Sequence, residues 1–107
     1  MRRGEVWTLS GAGYAGKPRP AAIVQDNRFD ATESITVCVF TTDETDAPLF
    51  RLPTSPAAGN GLRDVSRLMV DKITTVNRKQ LGTRLGRLDD ADLRRLDRAI
   101  LVFLGLA

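Results

Sequence analysis

Arg19-Pro20-Ala21-Ala22-Ile23-Val24 and, after a polar interval, Ile35-Thr36-Val37-Cys38-Val39-Phe40-Thr41-Thr42 are the stretches on which the reading of this chain turns. Each is a short apolar run bounded by breakers and rich in β-branched side chains, the pattern of a strand. Pro20 is tolerated only at a strand's beginning or edge, so the first run is entered at Arg19 and continues over Ala21 to Gln25. Ser34 to Phe40 is the most β-branched segment of the chain, and Thr41-Thr42 closes it. If the two strands are neighbours in one sheet, the arginine at the start of one and the hydroxyl at the end of the next converge on a single anion such as a phosphate.

Working outward, Glu5 to Leu9 reads as a preceding strand, stopped by Ser10-Gly11-Ala12-Gly13. The loop from there to Pro18 holds Gly11, Gly13 and Gly16 around Tyr14 and Lys17, so its backbone is free to approach a ligand closely. Asp26 to Asp30 reads as a turn or a single helical turn. Leu49 to Leu52, between Pro48 and Pro53, predicts a short edge strand, and Asn60-Gly61 marks a tight turn. Val65 to Val76 predicts one longer or broken strand and Arg84 to Leu88 a last short one. From Asp89 the apolar period becomes helical: Leu93, Leu96, Ile100, Phe103 and Leu104 share one face, with Arg94, Arg95 and Arg98 outside it. Asp89 or Asp90 caps its start, Asp92 sits in the first turn, and Gly105 ends it. Five or six strands closing on one helix predict a mainly β fold, a small curved β-barrel with a C-terminal helix packed on it.

Composition sets the limits. A chain of 107 residues suits one domain, here residues 1–107, and with 42% hydrophobic and 27% charged residues it has ordinary globular proportions. The longest late apolar run, Ala99 to Leu104, is too short to span a bilayer. Met1 to Glu5 is charged and precedes no apolar core, so no secretory signal is expected. The single cysteine, Cys38, lies inside an apolar strand and reads as a small buried hydrophobe. A reducing cytoplasm fits these features. The net charge of +3 is unevenly spread, since the Arg63 to Arg87 stretch carries Arg63, Arg67, Lys72, Arg78, Lys79, Arg84 and Arg87 against only Asp64 and Asp71. Such a stretch is either an electropositive surface for a polyanion or an ordinary solvated face.

Histidine is absent. That removes Ser-His-Asp and Cys-His triads, paired-imidazole RNA cleavage and nearly all zinc sites. The acids gather as Asp43, Glu44, Asp46 in a loop and Asp89, Asp90, Asp92 at a helix start, where solvation and capping explain them, so no metal and no cofactor is expected. No Gly-Lys-Ser/Thr element exists, and Gly11-Ala12-Gly13 lacks the third glycine and following helix of a dinucleotide fingerprint. What survives is arginine with hydroxyl. A guanidinium stays charged, offers a planar fork of donors and can meet the extra charge of a pentacoordinate phosphorane. Taken alone, an arginine at a strand mouth is more often a surface residue, and a threonine pair an ordinary strand end.

Arg3-Gly4-Glu5-Val6-Trp7, the Arg19 to Val24 strand, the strand ending in Thr41-Thr42, the Val65 to Val76 region and Leu104-Gly105-Leu106, in that order and spacing, resemble the MazF/PemK family of bacterial toxins. The resemblance spans nearly the whole chain and implies an SH3-like barrel with helices that works as a homodimer. It implies sequence-specific, metal-independent endoribonuclease activity on single-stranded mRNA, by attack of the 2′-hydroxyl to leave a 2′,3′-cyclic phosphate and a 5′-hydroxyl. Arg19 matches the family's catalytic arginine and Thr41 its catalytic threonine, while RNA contacts fall on Tyr14, Lys17, Thr42, Arg67 and Lys72. An antitoxin with an acidic, flexible tail is the implied partner. Two departures stand out: Gly13-Tyr14-Ala15-Gly16-Lys17 replaces a Gly-Ser-Glu element, and Asp71-Lys72 replaces an acid followed by Gln. Both lie where RNA sequence would be read. Alternatives on the same fold are a gyrase-poisoning toxin, whose C-terminal Trp this chain lacks, and a non-catalytic RNA- or protein-binding barrel.

Overall fold

The structure is a computed structural model and describes residues 1–11 and 17–107. Seven strands form one strongly bent antiparallel sheet: β1 (Glu5–Leu9), β2 (Arg19–Ile23), β3 (Ser34–Thr41), β4 (Arg51–Thr54), β5 (Ser66–Met69), β6 (Thr74–Asn77) and β7 (Leu81–Arg87). One helix, α1 (Asp90–Phe103), follows. The strand order is β4-β5-β3-β2-β1-β7, with β6 also on β3. The sheet does not close on itself, so it is a curved, barrel-like half-shell with the helix against one face.

β3 organises this curvature. Its eight residues pair with β2 along one edge, Ala21 opposite Val39 and Ile23 opposite Val37. Along the other edge its first half takes β6 and its end takes β5. β5 and β6 therefore come from the one Val65 to Val76 segment, broken by a 3-10 turn at Val70–Lys72. Register shifts between Val6, Trp7 and Leu9 in the β1–β7 pairing add further bend.

Because β3 is covered on both sides, its apolar run is continuous rather than alternating. Ile35, Val37 and Val39 join Leu9, Ala21, Ile23, Met69 and Leu81 in one buried cluster, with Trp7 and Val76 packed against it. Cys38 and Phe40 point the other way, into the core under the helix with Val6, Ala22, Leu68, Leu88, Leu96 and Ala99.

Several boundaries differ from the sequence reading. The edge strand runs over Arg51–Thr54 instead of Leu49 to Leu52, with Pro53 inside it, which an edge permits, and Leu49 is left exposed. The last strand begins at Leu81 instead of Arg84, and because the Val65 to Val76 segment is broken in two, the described residues form seven strands rather than five or six. Asp26 caps a single 3-10 turn at Asn27–Phe29, and Asp89 caps α1 by accepting from the Asp92 N–H. On the helix, Leu96 and Ala99 are buried and Leu93 and Ile100 partly so, whereas Phe103 and Leu104 are 46% and 59% exposed. The helix outruns the sheet, so its last turn has no core beneath it, although Phe103 keeps a tilted ring contact with Phe50 at 6.0 Å between centroids.

The Asn60-Gly61 turn belongs to a loop clasped onto β7. Asn60 is buried, its amide donating to Ser55 C=O and its carbonyl accepting from Ala57 and Leu62 N–H. Gly61 has φ +73°, and a Cβ there would lie 2.7 Å from the carbonyl carbon of Leu85. Only glycine fits that approach.

Candidate active site

The β2–β3 register decides the site. Ala21 faces Val39, Ala22 faces Cys38 and Ile23 faces Val37. Extended by two residues, that register sets Arg19 opposite Thr41. On its other side Thr41 is paired with Arg67 of β5. Directly opposed residues share a face in an antiparallel pair, so an arginine flanks the threonine on each side.

Thr41 is only partly exposed, and its Oγ1 accepts from the Asp43 N–H at 3.1 Å. A hydroxyl that accepts in this way still has its own proton to donate. Asp43 then begins an Asx turn, its Oδ1 accepting from both the N–H and the hydroxyl of Thr45 at 3.0 Å. Those two bonds, from the Thr45 side chain and backbone, hold the Asp43 carboxyl below its ordinary range. Arg67 Nη1 donates to the Asp43 carbonyl at 3.2 Å. The strand end is thus fixed by local bonds rather than left to wave in solvent.

Two clefts meet at this point. The first, about 670 Å³, is lined by Arg19, Val39, Thr41, Thr42, Asp43, Thr45, Arg51, Met69 and Lys72. The second, about 720 Å³, shares Arg19, Thr41 and Thr42 and adds Lys17, Phe40, Leu62, Arg63 and Ser66 among its walls. They lie on opposite sides of the sheet's end, since Val39 and Met69 belong to one core cluster and Phe40 and Leu62 to the other. Arg19 and Thr41 occupy the saddle between them. A single-stranded polyanion draped over the saddle would place one phosphate on the arginine–threonine pair and a neighbouring nucleotide in each cleft.

Arg51 and Asp71 form the most buried ion pair at this end of the molecule. Nε donates to Oδ1 at 2.7 Å and Nη2 to Oδ2 at 3.0 Å, with side chains 11% and 22% exposed. The guanidinium lowers the Asp71 carboxyl, chiefly through these hydrogen bonds, and the carboxylate raises Arg51 in turn. The pair ties β4 to the Val70–Lys72 turn, and so fixes the turn from which Lys72 reaches the first cleft.

Of the residues singled out from sequence, Arg19, Thr41 and Thr42 line both clefts, Lys72 the first and Lys17 the second. Arg67 stands beside Thr41 but lines neither cleft, its guanidinium being turned onto the Asp43 carbonyl. Tyr14 lies outside the described residues. Sequence reasoning missed Arg51, Arg63, Asp43 and Thr45 as walls. No spacing signal marks Arg51, which reaches the cleft only because β4 joins the sheet at its far edge. Among the described residues, no three Asp, Glu or Cys side chains gather where they would hold a metal ion. Burial pushes the Cys38 thiol up to about 12, so it remains an inert core side chain. Among the described residues, no helix is long and apolar enough to cross a membrane.

Comparison with known proteins bears on the family and the fold. The family described as the PemK-like, MazF-like toxin of type II toxin-antitoxin systems matches residues 2–104. A protein named probable endoribonuclease MazF from Mycolicibacterium smegmatis is 56% identical over 108 residues, covering 100% of this chain and 99% of that protein. Among solved structures, an endoribonuclease in complex with its cognate antitoxin, from a mycobacterial species, superposes with a TM-score of 0.83 at 26% identity, covering 100% of this chain and 97% of the other. A MazE–MazF complex from Deinococcus radiodurans gives a TM-score of 0.80 at 21% identity over 100% of this chain and 98% of that one, a likeness of fold alone.

Proposed function

The chain belongs to the PemK-like, MazF-like toxins of type II toxin-antitoxin systems and is a MazF-type endoribonuclease toxin, and from that premise we propose that it cuts single-stranded mRNA, sequence-specifically and without a metal ion, at the Arg19–Thr41 saddle. The observation that carries this is the register setting Arg19 and Thr41 face to face where two clefts meet. In the reaction a bond forms between the ribose 2′-oxygen and phosphorus as the bond to the 5′-oxygen breaks. The products are a 2′,3′-cyclic phosphate and a 5′-hydroxyl. The proton lost from the 2′-oxygen passes to solvent, and the departing 5′-oxygen takes one up.

Arg19 neutralises the extra charge of the phosphorane, the step at which a preorganised donor contributes most. It is a poor general base, since a guanidinium loses its proton only above pH ~12. Thr41 donates its hydroxyl proton to a phosphate oxygen and so orients the phosphate for in-line attack. Lys17, Thr42 and Lys72 meet the RNA on either side, together with Tyr14, while Arg67 steadies the loop that begins at Thr42. A phosphate flanked by Arg19 and fed by basic neighbours needs no divalent ion for charge neutralisation, and the chain has no histidine to help bind one.

The working unit in this reading is a cytoplasmic homodimer. The exposed Leu101, Val102, Phe103, Leu104 and Leu106 at the end of the helix give a second copy an apolar surface to cover. A cognate antitoxin with an acidic flexible tail would compete for the basic saddle, its apolar side chains carrying affinity and its charge setting rate and salt dependence. A gyrase poison or a silent barrel fits less well, since the 56% identical relative is named an endoribonuclease. The experiment is a cleavage assay on Arg19→Ala. A loss of about 100-fold or more with unchanged thermal unfolding is expected, the scale for losing an oxyanion donor. Cleavage at the wild-type rate would remove Arg19 from the mechanism.

A further inference from the structure

Asn60 and Gly61 carry a chemistry that their turn does not use. Glycine, having no Cβ to screen its amide nitrogen, is the residue that attacks the carboxamide of a preceding asparagine most readily. Of the three asparagines in the chain, Asn27 and Asn77 are each followed by arginine, and Asn60 alone by glycine. In the attack a bond forms between the Gly61 nitrogen and Asn60 Cγ as the Cγ–Nδ2 bond breaks. The Gly61 amide proton goes to solvent base, and Nδ2 leaves as ammonia with a proton from water. A second water then opens the five-membered succinimide at either carbonyl, leaving aspartate or isoaspartate.

The fold holds this reaction off. The Asn60 side chain is turned inward, the residue being 2% exposed. Its Oδ1 accepts from the Ala57 N–H at 3.2 Å and the Leu62 N–H at 3.0 Å, while its Nδ2 donates to the Ser55 carbonyl at 3.0 Å. A planar carboxamide makes those three bonds, whereas attack turns Cγ tetrahedral and releases Nδ2, so ring closure and the clasp exclude one another. The main chain is held as well. Gly61 is wedged against the Leu85 backbone, and the Arg87 N–H ties the Gly59 carbonyl to β7. The loop must lift from β7 before the ring can form.

Neither product fits the closed loop. A carboxylate at position 60 sets an oxygen where Nδ2 donated, against the Ser55 carbonyl and away from water, two acceptors with no proton between them. Isoaspartate sends the main chain through Cγ, which lengthens the backbone by one atom and makes a backbone group of the carbonyl that gathered the Ala57 and Leu62 N–H groups. The same loop runs on into Leu62, Arg63, Asp64 and Ser66, walls of the second cleft.

We propose that Asn60-Gly61 is a self-modification site, shielded by the clasp. When the loop lifts from β7 the pair deamidates, the product cannot clasp again, and the second cleft is lost irreversibly. The modification follows from the loop alone, while its effect on RNA rests on the placement of RNA in the second cleft.

The test incubates the wild-type protein at pH 8, folded and in guanidinium chloride, and follows conversion of Asn60 and the appearance of isoaspartate by peptide mass spectrometry. Three hydrogen bonds favour the closed loop by about 100-fold, so the folded protein should deamidate more slowly by about that factor. The Leu62 N–H, bonded to Asn60 Oδ1, should show the same protection in hydrogen exchange, a comparison that needs no variant. Gly86→Ala, which crowds the loop, should speed conversion at Asn60 by about tenfold while it remains folded, and leave Asn27 and Asn77 as they were. Wild-type protein aged to full conversion, and Asn60→Asp, should each melt lower by about 8 °C or more. Both should bind a 2′-deoxy-blocked single-stranded RNA about tenfold more weakly, the loss of one charged contact such as Arg63. Conversion at equal rates in folded and unfolded protein, no conversion in the unfolded chain, or a converted protein with the wild-type Tm overturns the proposal. A converted protein that melts lower yet binds RNA unchanged leaves the modification standing and overturns the placement of RNA in the second cleft.

Discussion

Gly86→Ala isolates how much the clasped loop contributes to the site. Gly86 lies on β7 beneath the Asn60 turn, and a Cβ there would sit 2.8 Å from the carbonyl carbon of Asn60 and 2.9 Å from that of Gly59, with the Gly59 oxygen nearer still. All three neighbours are backbone, so no side-chain rotation relieves the clash and the loop must lift. Lifting it stretches the Arg87 N–H bond to the Gly59 carbonyl, 2.6 Å in the native fold. It also disturbs the Asn60 bonds to Ser55 and Leu62, which close the loop at 3.0 Å each. One weakened backbone bond costs about 1 kcal/mol, and overpacking adds about 1–2, for a total of about 2–3 kcal/mol. In a domain of this length that lowers the Tm by about 8–20 °C. Thermal unfolding followed by circular dichroism reads the change directly. Because Leu62, Arg63 and Ser66 of the second cleft follow this loop, residual RNA affinity measured well below the new Tm should fall as well. A Tm within about 2 °C of the wild type would refute the reasoning, since an unrelieved backbone clash of this size cannot be silent.

Thr41→Ala removes one hydrogen bond from a neutral hydroxyl to the charged phosphate and should slow cleavage by about tenfold to thirtyfold, less than the loss at Arg19, as read from single-turnover kinetics. Native protein should leave its one cysteine unreacted with a thiol reagent at pH 8, and titrate it fully once unfolded, because burial holds Cys38 as a thiol. Asp71, hydrogen-bonded by Arg51, has its folded value below the ordinary 3.8. Its pair therefore adds stability above pH ~3.8 and loses it as pH falls through the folded value. The Tm gap between wild type and Asp71→Asn should be full at pH 7 and shrink in acid below that point.

The strands that build the saddle were legible because their chemistry is local. Pro20 dates the start of β2, the β-branched run marks β3, and a switch to helical period marks α1. Arg19 and Thr41 were legible too, being the end residues of those strands. Their facing one another follows from a register that only pairing supplies. What the sequence hid was set at long range. The segment from Val65 to Val76 gives no sign that β3 will accept its two halves one after the other, with a 3-10 turn between. Arg51 looks like an unremarkable residue of an edge strand until Asp71, twenty positions on, grips it. Phe103 and Leu104 keep the helical period of the buried face, yet the sheet ends before they do, so periodicity alone assigned them to a core that is not there.

The central claim is that a guanidinium and a hydroxyl, without a metal ion, transfer a phosphodiester to its own 2′-oxygen. The measurement that meets it most directly is the chemistry of the product ends from a short RNA cut in excess EDTA. The expected result is undiminished cleavage giving a 2′,3′-cyclic phosphate and a 5′-hydroxyl that polynucleotide kinase labels without prior phosphatase treatment. Cleavage that stops with chelator and returns with magnesium, or products bearing a 5′-phosphate, would contradict the account.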